Sequence, residues 1–451
     1  MAEGGYASFS VGQEASFRHK VTADDVETFA QLSGDRNQLH MDDASAKAKG
    51  FEGRLVHGLL ASSLFSRLVG MHLPGKDALY LSQDLHFRRP IMIGQELVVK
   101  GTITKKMDLF KVLTLQTTIM DAEGMVCISG TAKVKVLGGG KYVFDDVTKE
   151  YPLFARTAAY LEKQSYFYRP NLVKIKEMGM DLPFAERWCE HCWNDVGKDE
   201  KAYFKQVHAL IDFSLEFLRL QLILKRTGTY LYKSYAEVEE NVYNDPTRKL
   251  TGPWYMWALY FSQIFWITHW NVLKFFHRAF IPQKGTGAVL EVPTGTGIFL
   301  AEFLKKSDGW KGIGIDLSDS SIQFTKKVLD WSRVAERTHI IKGDLFDYQP
   351  KERFDRIMCG EFLEHVEDPV RVLKTLRSLV KPEGKVFLTV AVYASMIDHI
   401  YLYHSAEEVR VHIREAGFCV DEELVQAVFQ KDKPEEKDVP LNYCAILSPA
   451  E

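Results

Sequence analysis

Between Ala288 and Val392 the chain carries five short apolar runs, AVLEV, GIGID, THIIKG, FDRIMCG and KVFLTVAV, each parted from the next by a helix-compatible stretch. Few architectures accept that rhythm. Strands that alternate with helices pair side by side, so residues 285–451 predict a doubly wound, parallel α/β sheet.

Upstream the period differs twice. Residues 141–284 read as helical, as in YFKQVHALIDFSLEFLRLQLILKR, with Pro170, Pro183, Pro246 and Pro253 dividing them into pieces. Residues 1–140 begin with a helix in TADDVETFAQLSG, with Thr22 as its N-cap and acids in its first turn. A strongly apolar helix follows from His57 to Leu73, and then the strands ELVVKGTITKK, FKVLTLQTTIMD and GMVCISGTAKVKV. A mostly buried helix before a run of antiparallel strands suggests a sheet wrapped around it, an α+β arrangement. Gly138, Gly139 and Gly140 mark the boundary, because consecutive glycines order poorly inside regular elements. Three segments in 451 residues suit the usual size of domains.

Charge narrows the partners. A net charge of -3, with no dense Lys/Arg block, gives no reason to expect nucleic acid. Six scattered cysteines fit reduced thiols in a cytoplasmic protein, and the N-terminus shows no secretory signal. Thr251 to Leu273 lacks Asp, Glu, Lys and Arg, which is long enough for a membrane span. Ser262, Gln263, Thr268, His269 and Asn271 interrupt it, so a buried helix or pocket wall is the better reading than membrane contact.

The first chemical signal is GDRNQLH, Gly34 to His40. Adding water across a double bond next to a thioester needs a proton shuttle at the α-carbon, a group that handles water at the β-carbon, and donors for the enolate oxygen. Asp35 and His40 on one loop can serve as the first two. The start of the helix at His57-Gly58 suits the third, since free N–H groups point outward there and glycine admits a close oxygen. Residues 8–137, above all FAQLSGDRNQLHMDDASAKAKGFEGRLVHGLLASSLFSRLVG and LPGKDALYLSQDLHFRRPIMIGQELVV, resemble the MaoC-like (R)-specific enoyl-CoA hydratases, whose fold is the hot dog. The resemblance implies Asp35 and His40 as the catalytic pair, Asn37 as their orienter and Gly58 as the oxyanion donor. It further implies Ser62 as support and Gln83 as a substrate contact, an acyl-CoA or acyl-carrier-protein thioester as substrate, and a homodimer. Gln38 stands where that family usually has proline.

The second signal is LEVPTGTGIFL. Gly295 and Gly297 allow a ligand close to the backbone at a helix N-terminus, but Leu300 stands where a dinucleotide fingerprint needs its third glycine, so NAD is not favoured. Asp316 ends the next strand, Asp344 follows the third, and Glu361 and Phe362 follow the fourth. This succession over 285–451 resembles the class I S-adenosylmethionine-dependent methyltransferases, a Rossmann-like fold. The resemblance implies Glu291, Gly295 and Gly297 at the methionine end, Asp316 at the ribose, Asp344 and Leu345 at the adenine, and Glu361 and Phe362 closing the site. Pro293 replaces that family's first glycine. His365, Asp398 and His399 are candidates for a base toward a small-molecule acceptor.

Two weaker signals remain. RWCEHCW brings Cys189, His191 and Cys192 together, but no further ligands stand nearby, so no metal is expected. The aromatic stretch around Trp254, Tyr255, Trp257 and Phe261 suits a lid over an apolar acceptor or a core helix. The expectation is thus a bifunctional hydratase/dehydratase and methyltransferase in fatty acid or polyketide-type metabolism. The alternative is a methyltransferase whose hot-dog segment only dimerises or binds acyl groups.

Overall fold

The computed structural model describes residues 6–108, 111–137, 142–165, 167–243, 253–429 and 432–450. They fall into two compact units, Met1–Lys141 and Tyr142–Glu451. The glycines at 138–140, Pro246, Thr251 and Gly252 lie outside the described residues.

In the first unit, strand β1 (Glu14–Lys20) leads into α1 (Ala23–Ser33). The Thr22 hydroxyl accepts from the Asp25 amide and the Asp25 carboxylate accepts from the Thr22 amide, a reciprocal capping box that starts the helix where the sequence places it. Two short helices follow, α2 (Gln38–Met41) and α3 (Asp43–Ala48), then α4 (Gly58–Arg67), extended by one wider turn at Leu68–His72. Strands β2 (Ala78–Gln83), β3 (His86–Phe87), β4 (Glu96–Met107), β5 (Val112–Met120) and β6 (Val126–Val136) complete the unit. The sheet is antiparallel in the order β1-β4-β5-β6-β2, with β3 also on β6. Ala61, Phe65 and Leu68 of the central helix pack on Leu97 and Val99 of β4, Ile119 of β5, and Cys127 and Ile128 of β6. Gly101 permits that approach, because a Cβ there would sit 2.8 Å from Leu68 Cδ2. A helix wrapped by one antiparallel sheet is the hot-dog arrangement. β1, β2 and β3 add to the three strands that alternation reveals.

The second unit starts with α5 (Pro152–Gln164), α6 (Tyr168–Glu177), α7 (Leu182–Asp195), α8 (Glu200–Thr227), α9 (Tyr235–Val238), α10 (Pro253–Phe265) and α11 (Ile267–Ala279). Pro170 lies in the first turn of α6, Pro183 in that of α7 and Pro253 at the head of α10, so these prolines begin helices rather than break them. Then β7 (Thr286–Glu291), α12 (Ile298–Lys305), β8 (Gly309–Asp316), α13 (Asp319–Trp331), β9 (Thr338–Lys342), β10 (Phe354–Gly360), α14 (Pro369–Leu379), β11 (Val380–Val392), α15 (Ala406–Glu415), β12 (Phe418–Ala427) and β13 (Leu441–Pro449) alternate. The sheet order is β12-β13-β11-β10-β7-β8-β9. The neighbouring pairs among β11, β10, β7, β8 and β9 are parallel, as the alternation predicts. The sheet as a whole is mixed, not parallel, because β13 inserts antiparallel between β11 and β12. Among the described residues no helix separates β12 from β13, and the return strand pairs antiparallel with both neighbours. Helices from residues 142–284 share one apolar core with this sheet: Phe154, Trp188, Phe261 and Phe276 cluster with Val289, Ile298 and Phe387.

Candidate active sites

In the first unit the loop from Gly34 to Asn37 is held from inside. Gly34 adopts a left-handed φ of 78° at the end of α1. The Asp35 carboxylate accepts from the Asn37 amide at 3.1 Å, and the Asn37 side chain caps α2 through the Leu39 amide at 3.0 Å. Gln38 is the first residue of that helix, a position where proline fits well because its missing N–H is not needed.

His40 sits one turn on, with Nδ1–H donating to the Leu55 carbonyl at 2.9 Å. A carbonyl only accepts, so Nδ1 carries the proton and Nε2 keeps a lone pair. His57, buried, donates from Nε2 to the backbone carbonyl of Asp35 at 2.9 Å, and its ring stacks on His40 at 3.9 Å. A carboxylate oxygen of Asp35 and ring nitrogens of His40 and His57 lie within 4.8 Å of one another. Beside them starts α4, whose N-terminus has no side-chain cap. Its first amide is that of Gly58, and a Cβ at Gly58 would lie 2.8 Å from the Phe87 ring. Ser62 donates to the Gly58 carbonyl at 2.8 Å and so braces this turn.

Gln83 is placed differently. Its side chain donates to Asp84 O at 2.6 Å and to Thr117 Oγ1 at 3.0 Å, and accepts from the Tyr80 hydroxyl at 2.5 Å. Those contacts anchor β2 to β5 and engage both ends of the Gln83 amide.

In the second unit the implied cofactor residues gather at the carboxyl ends of the parallel strands, where ligands bind in such sheets. Glu291 ends β7, and one of its carboxylate oxygens is buried with no hydrogen-bond partner. Burial pushes its carboxyl well above the usual range, and Asp316 adds to the rise. Asp316, buried at the end of β8, accepts from the Gly295 and Ser318 amides at 3.0 and 2.9 Å. Burial still raises its carboxyl. Gly295 and Gly297 have φ of 49° and 72°, and nothing lies within 4 Å of a Cβ built on Gly295. An open, left-handed turn beside an unsatisfied carboxylate fits a cationic ligand lying against the backbone, as S-adenosylmethionine would require. Asp344 caps the turn Leu345–Asp347, and Leu345 is buried.

Glu361 stands just after β10 in a left-handed conformation (φ 46°), its amide bound to Thr389 of β11; strained non-glycine residues of this kind favour functional sites. Phe362 follows, and Glu364 is fully buried, its carboxyl pushed well up by burial and by Glu361. His365 donates from Nδ1 to the Asp398 carbonyl at 3.1 Å, and His399 from Nδ1 to the Ala394 carbonyl at 2.9 Å. Burial, helped by His365, holds His399 neutral with a pKa of about 3. Ligand atoms of Glu364, His365 and His399 lie within 4.8 Å of one another, a spacing that suits a proton network and equally a cation.

Sequence reasoning missed Tyr235 and Tyr243, and placed Tyr255 only in an aromatic stretch suited to a lid or a core helix. The Tyr243 hydroxyl donates to Asp398 at 3.3 Å, and the Tyr255 hydroxyl is raised by burial and then by Asp398, Glu364 and Glu361. The Tyr235 hydroxyl is raised by burial, Glu239, Asp344 and Asp316. All three come from the helical segment, with no motif to announce them. By contrast Cys189 and Cys192 are buried core residues, and the His191 ring meets the Tyr260 hydroxyl at 2.9 Å and stacks on Trp331.

Comparison with known proteins agrees with this division. The model of the MaoC-like domain matches residues 8–124, and that of a methyltransferase domain matches residues 242–423. An (R)-specific enoyl-CoA hydratase of Aeromonas caviae is 40% identical over 129 residues, 29% of this chain and 96% of the relative. A mitochondrial 3-hydroxyacyl-[acyl-carrier-protein] dehydratase of Arabidopsis thaliana is 49% identical over 77 residues, 17% of this chain and 45% of the relative. A ubiquinone biosynthesis O-methyltransferase of Coxiella burnetii is 36% identical over 106 residues, 22% of this chain and 42% of the relative. The chain thus spans less than half the length of this methyltransferase relative.

Proposed function

Because the chain belongs, through its first unit, to the MaoC-like hydratase/dehydratase family and carries a methyltransferase domain in its second, we propose that it hydrates trans-2-enoyl thioesters to (R)-3-hydroxyacyl thioesters and methylates a hydroxyl-bearing acceptor from S-adenosylmethionine. The observation that carries the reading is the convergence of the Asp35 carboxylate and His40 on the uncapped start of α4.

His40 Nε2 takes a proton from water as the oxygen adds to the β-carbon. Charge moves onto the thioester oxygen, which the Gly58 N–H holds, and Asp35 passes a proton to the α-carbon. The proton on His40 then returns to solvent, and Asp35 is reprotonated. Asn37 keeps the loop in register, and Ser62 keeps the Gly58 turn closed. The reverse course dehydrates a 3-hydroxyacyl thioester. Gln83, held by Tyr80, Asp84 and Thr117, is assigned to contact the substrate and takes no part in proton transfer.

When bound, S-adenosylmethionine supplies a methyl group on a positively charged sulfur. Glu291, Gly295, Gly297, Asp316, Asp344, Leu345, Glu361 and Phe362 would hold it at the strand ends, with the Tyr235 hydroxyl in the field of Asp344 and Asp316. His365, whose Nδ1 donates to the Asp398 carbonyl, keeps an Nε2 lone pair that accepts the acceptor's hydroxyl proton, His399 stays neutral beside it, and alignment does the rest. The family's dimeric habit and the exposed Leu79, Leu81 and Phe87 on β2 and β3 support a homodimer through the first unit. No helix among the described residues is long and apolar enough to cross a membrane.

The test is hydration of crotonyl-CoA and of a longer trans-2-enoyl-CoA by wild type and Asp35→Asn, followed by transfer of labelled methyl to the product. We expect hydration that falls at least about a thousandfold in the variant, in line with the loss of a general acid–base group. Hydration unchanged by the substitution would refute the assignment.

A further inference from the structure

We propose that His57 is a positioning residue of the hydratase site, tethering the acid loop to the imidazole and to the helix start. This rests on the hydratase reading. Three contacts make the case. From the residue just before α4, His57 donates to the backbone carbonyl of Asp35 at 2.9 Å. Its ring covers one face of His40 at 3.9 Å between centroids, and Phe29 flanks it at 5.0 Å. Its own next residue is Gly58. One buried side chain therefore touches the loop that bears the acid and the ring that bears the base, and its backbone leads directly into the oxyanion donor.

The choice of an imidazole is informative. With Nε2 donating to a carbonyl, Nδ1 is a bare acceptor, and it is buried with no hydrogen-bond partner. Leaving an acceptor unsatisfied in a core is costly, and a phenylalanine would fill the same space, stack on His40 and avoid the cost. What phenylalanine cannot do is hold the Asp35 carbonyl. The donor is therefore the reason for histidine at this position, and its target is the backbone of the catalytic acid.

The consequence is a division between binding and turnover. Loosening the Asp35 carbonyl moves the carboxylate relative to His40 without touching the path of the acyl chain, and small misplacements of reacting groups lower turnover steeply. His57→Phe keeps the stack and loses the donor. His57→Gln keeps a donor at the reach of Nε2 and loses the ring. We expect kcat for crotonyl-CoA hydration to fall about a hundredfold in His57→Phe with KM within about threefold, and to return within about tenfold of wild type in His57→Gln. Hydrogen exchange provides an arm that needs no activity. The amides of Asn37 and Leu39, which close the loop, should exchange at least tenfold faster in His57→Phe, with those of β4 and β5 unchanged. Wild-type turnover in His57→Phe, or equal losses in both variants with uniformly faster exchange across the sheet, would overturn the proposal. If the wild-type chain hydrates no thioester while the loop amides still respond to His57→Phe and recover in His57→Gln, the hydratase reading falls and the tether stands.

Discussion

Replacing Glu291 by glutamine isolates one buried carboxyl whose ionisation should tilt the stability of the second unit with pH. The side chain is 3% exposed, one oxygen has no partner, and burial with Asp316 nearby lifts its pKa well above the usual 4.5. A carboxyl whose folded pKa exceeds its unfolded value binds its proton more tightly in the folded state. Its contribution is therefore complete below the unfolded value and is lost as pH rises toward the folded one. Each pH unit inside that window removes about 1.4 kcal/mol from wild type that the variant keeps. Glutamine retains the shape and an oxygen for the Leu300 amide, the hydrogen bond that opposes the rise. At about 2 °C per kcal/mol for a unit of this size, the melting temperature of Glu291→Gln should gain on that of wild type by roughly 3 °C for each pH unit inside the window, the two differing least at pH 5. Differential scanning calorimetry from pH 5 to pH 8 measures this difference directly. Parallel melting curves across the range, or a variant that is less stable at pH 7, would refute the buried-acid argument.

Two other substitutions probe the supports of each site. In Gly297→Ala the new Cβ would fall 2.6 Å from Thr325 Cγ2 on a backbone at φ 72°, so the left-handed penalty of about 1–2 kcal/mol adds to a clash. Calorimetric titration with S-adenosylhomocysteine should show weaker binding, and adding Thr325→Ser should relieve the clash but not the backbone strain; full recovery would show that the conformation is not constrained. Phe65→Ala should cost the first unit about 3–5 kcal/mol, since this ring is 1% exposed between α4 and the sheet. Chemical denaturation should register that loss in the hydratase transition alone, and a loss below about 1 kcal/mol would mean that the helix is loosely seated.

What the sequence made legible was governed by local rules. The Thr22 cap, the strand ends at Glu291 and Asp316, and the loop carrying Asp35 are written in short spacings, and the structure places each where those spacings put it, while His40, expected on the same loop, lies in α2. The antiparallel β13 was not legible, because YCAILS is as apolar as its parallel neighbours and direction leaves no trace in composition. Gln83 falls at a family position, yet Tyr80, Asp84 and Thr117 occupy its amide, and only the fold brings those partners within reach. Tyr243 and Asp398 are far apart in the chain and meet only through tertiary packing.

The charge-free stretch near residues 253–273 shows how a long-range contact settles what local pattern leaves open. It is two helices, α10 and α11, parted at Trp266, whose φ and ψ of -107° and 123° are extended rather than helical. At 13 residues, or about 20 Å, each helix is shorter than a bilayer core. Asn171 of α6 holds the break: its amide donates to the Phe265 carbonyl and its oxygen accepts from the Ile267 amide at 3.1 Å. Three of the interrupting polar residues are paired as well, with Ser262 on His269 at 2.8 Å and Asn271 on Gln426 at 2.9 Å, whereas the Gln263 side-chain oxygen is buried without a partner. Polar groups that look misplaced in a membrane span are thus the ones that fix two core helices against the sheet. By turning the chain at Trp266, Asn171 lets Trp257 and Phe261 pack in the same core as Phe276 and Phe387, while Tyr255 of α10 stands in the field of Asp398. An asparagine some 95 residues upstream therefore helps to set where Tyr255 stands relative to Asp398, which is why no window on the sequence around Trp266 reveals the turn.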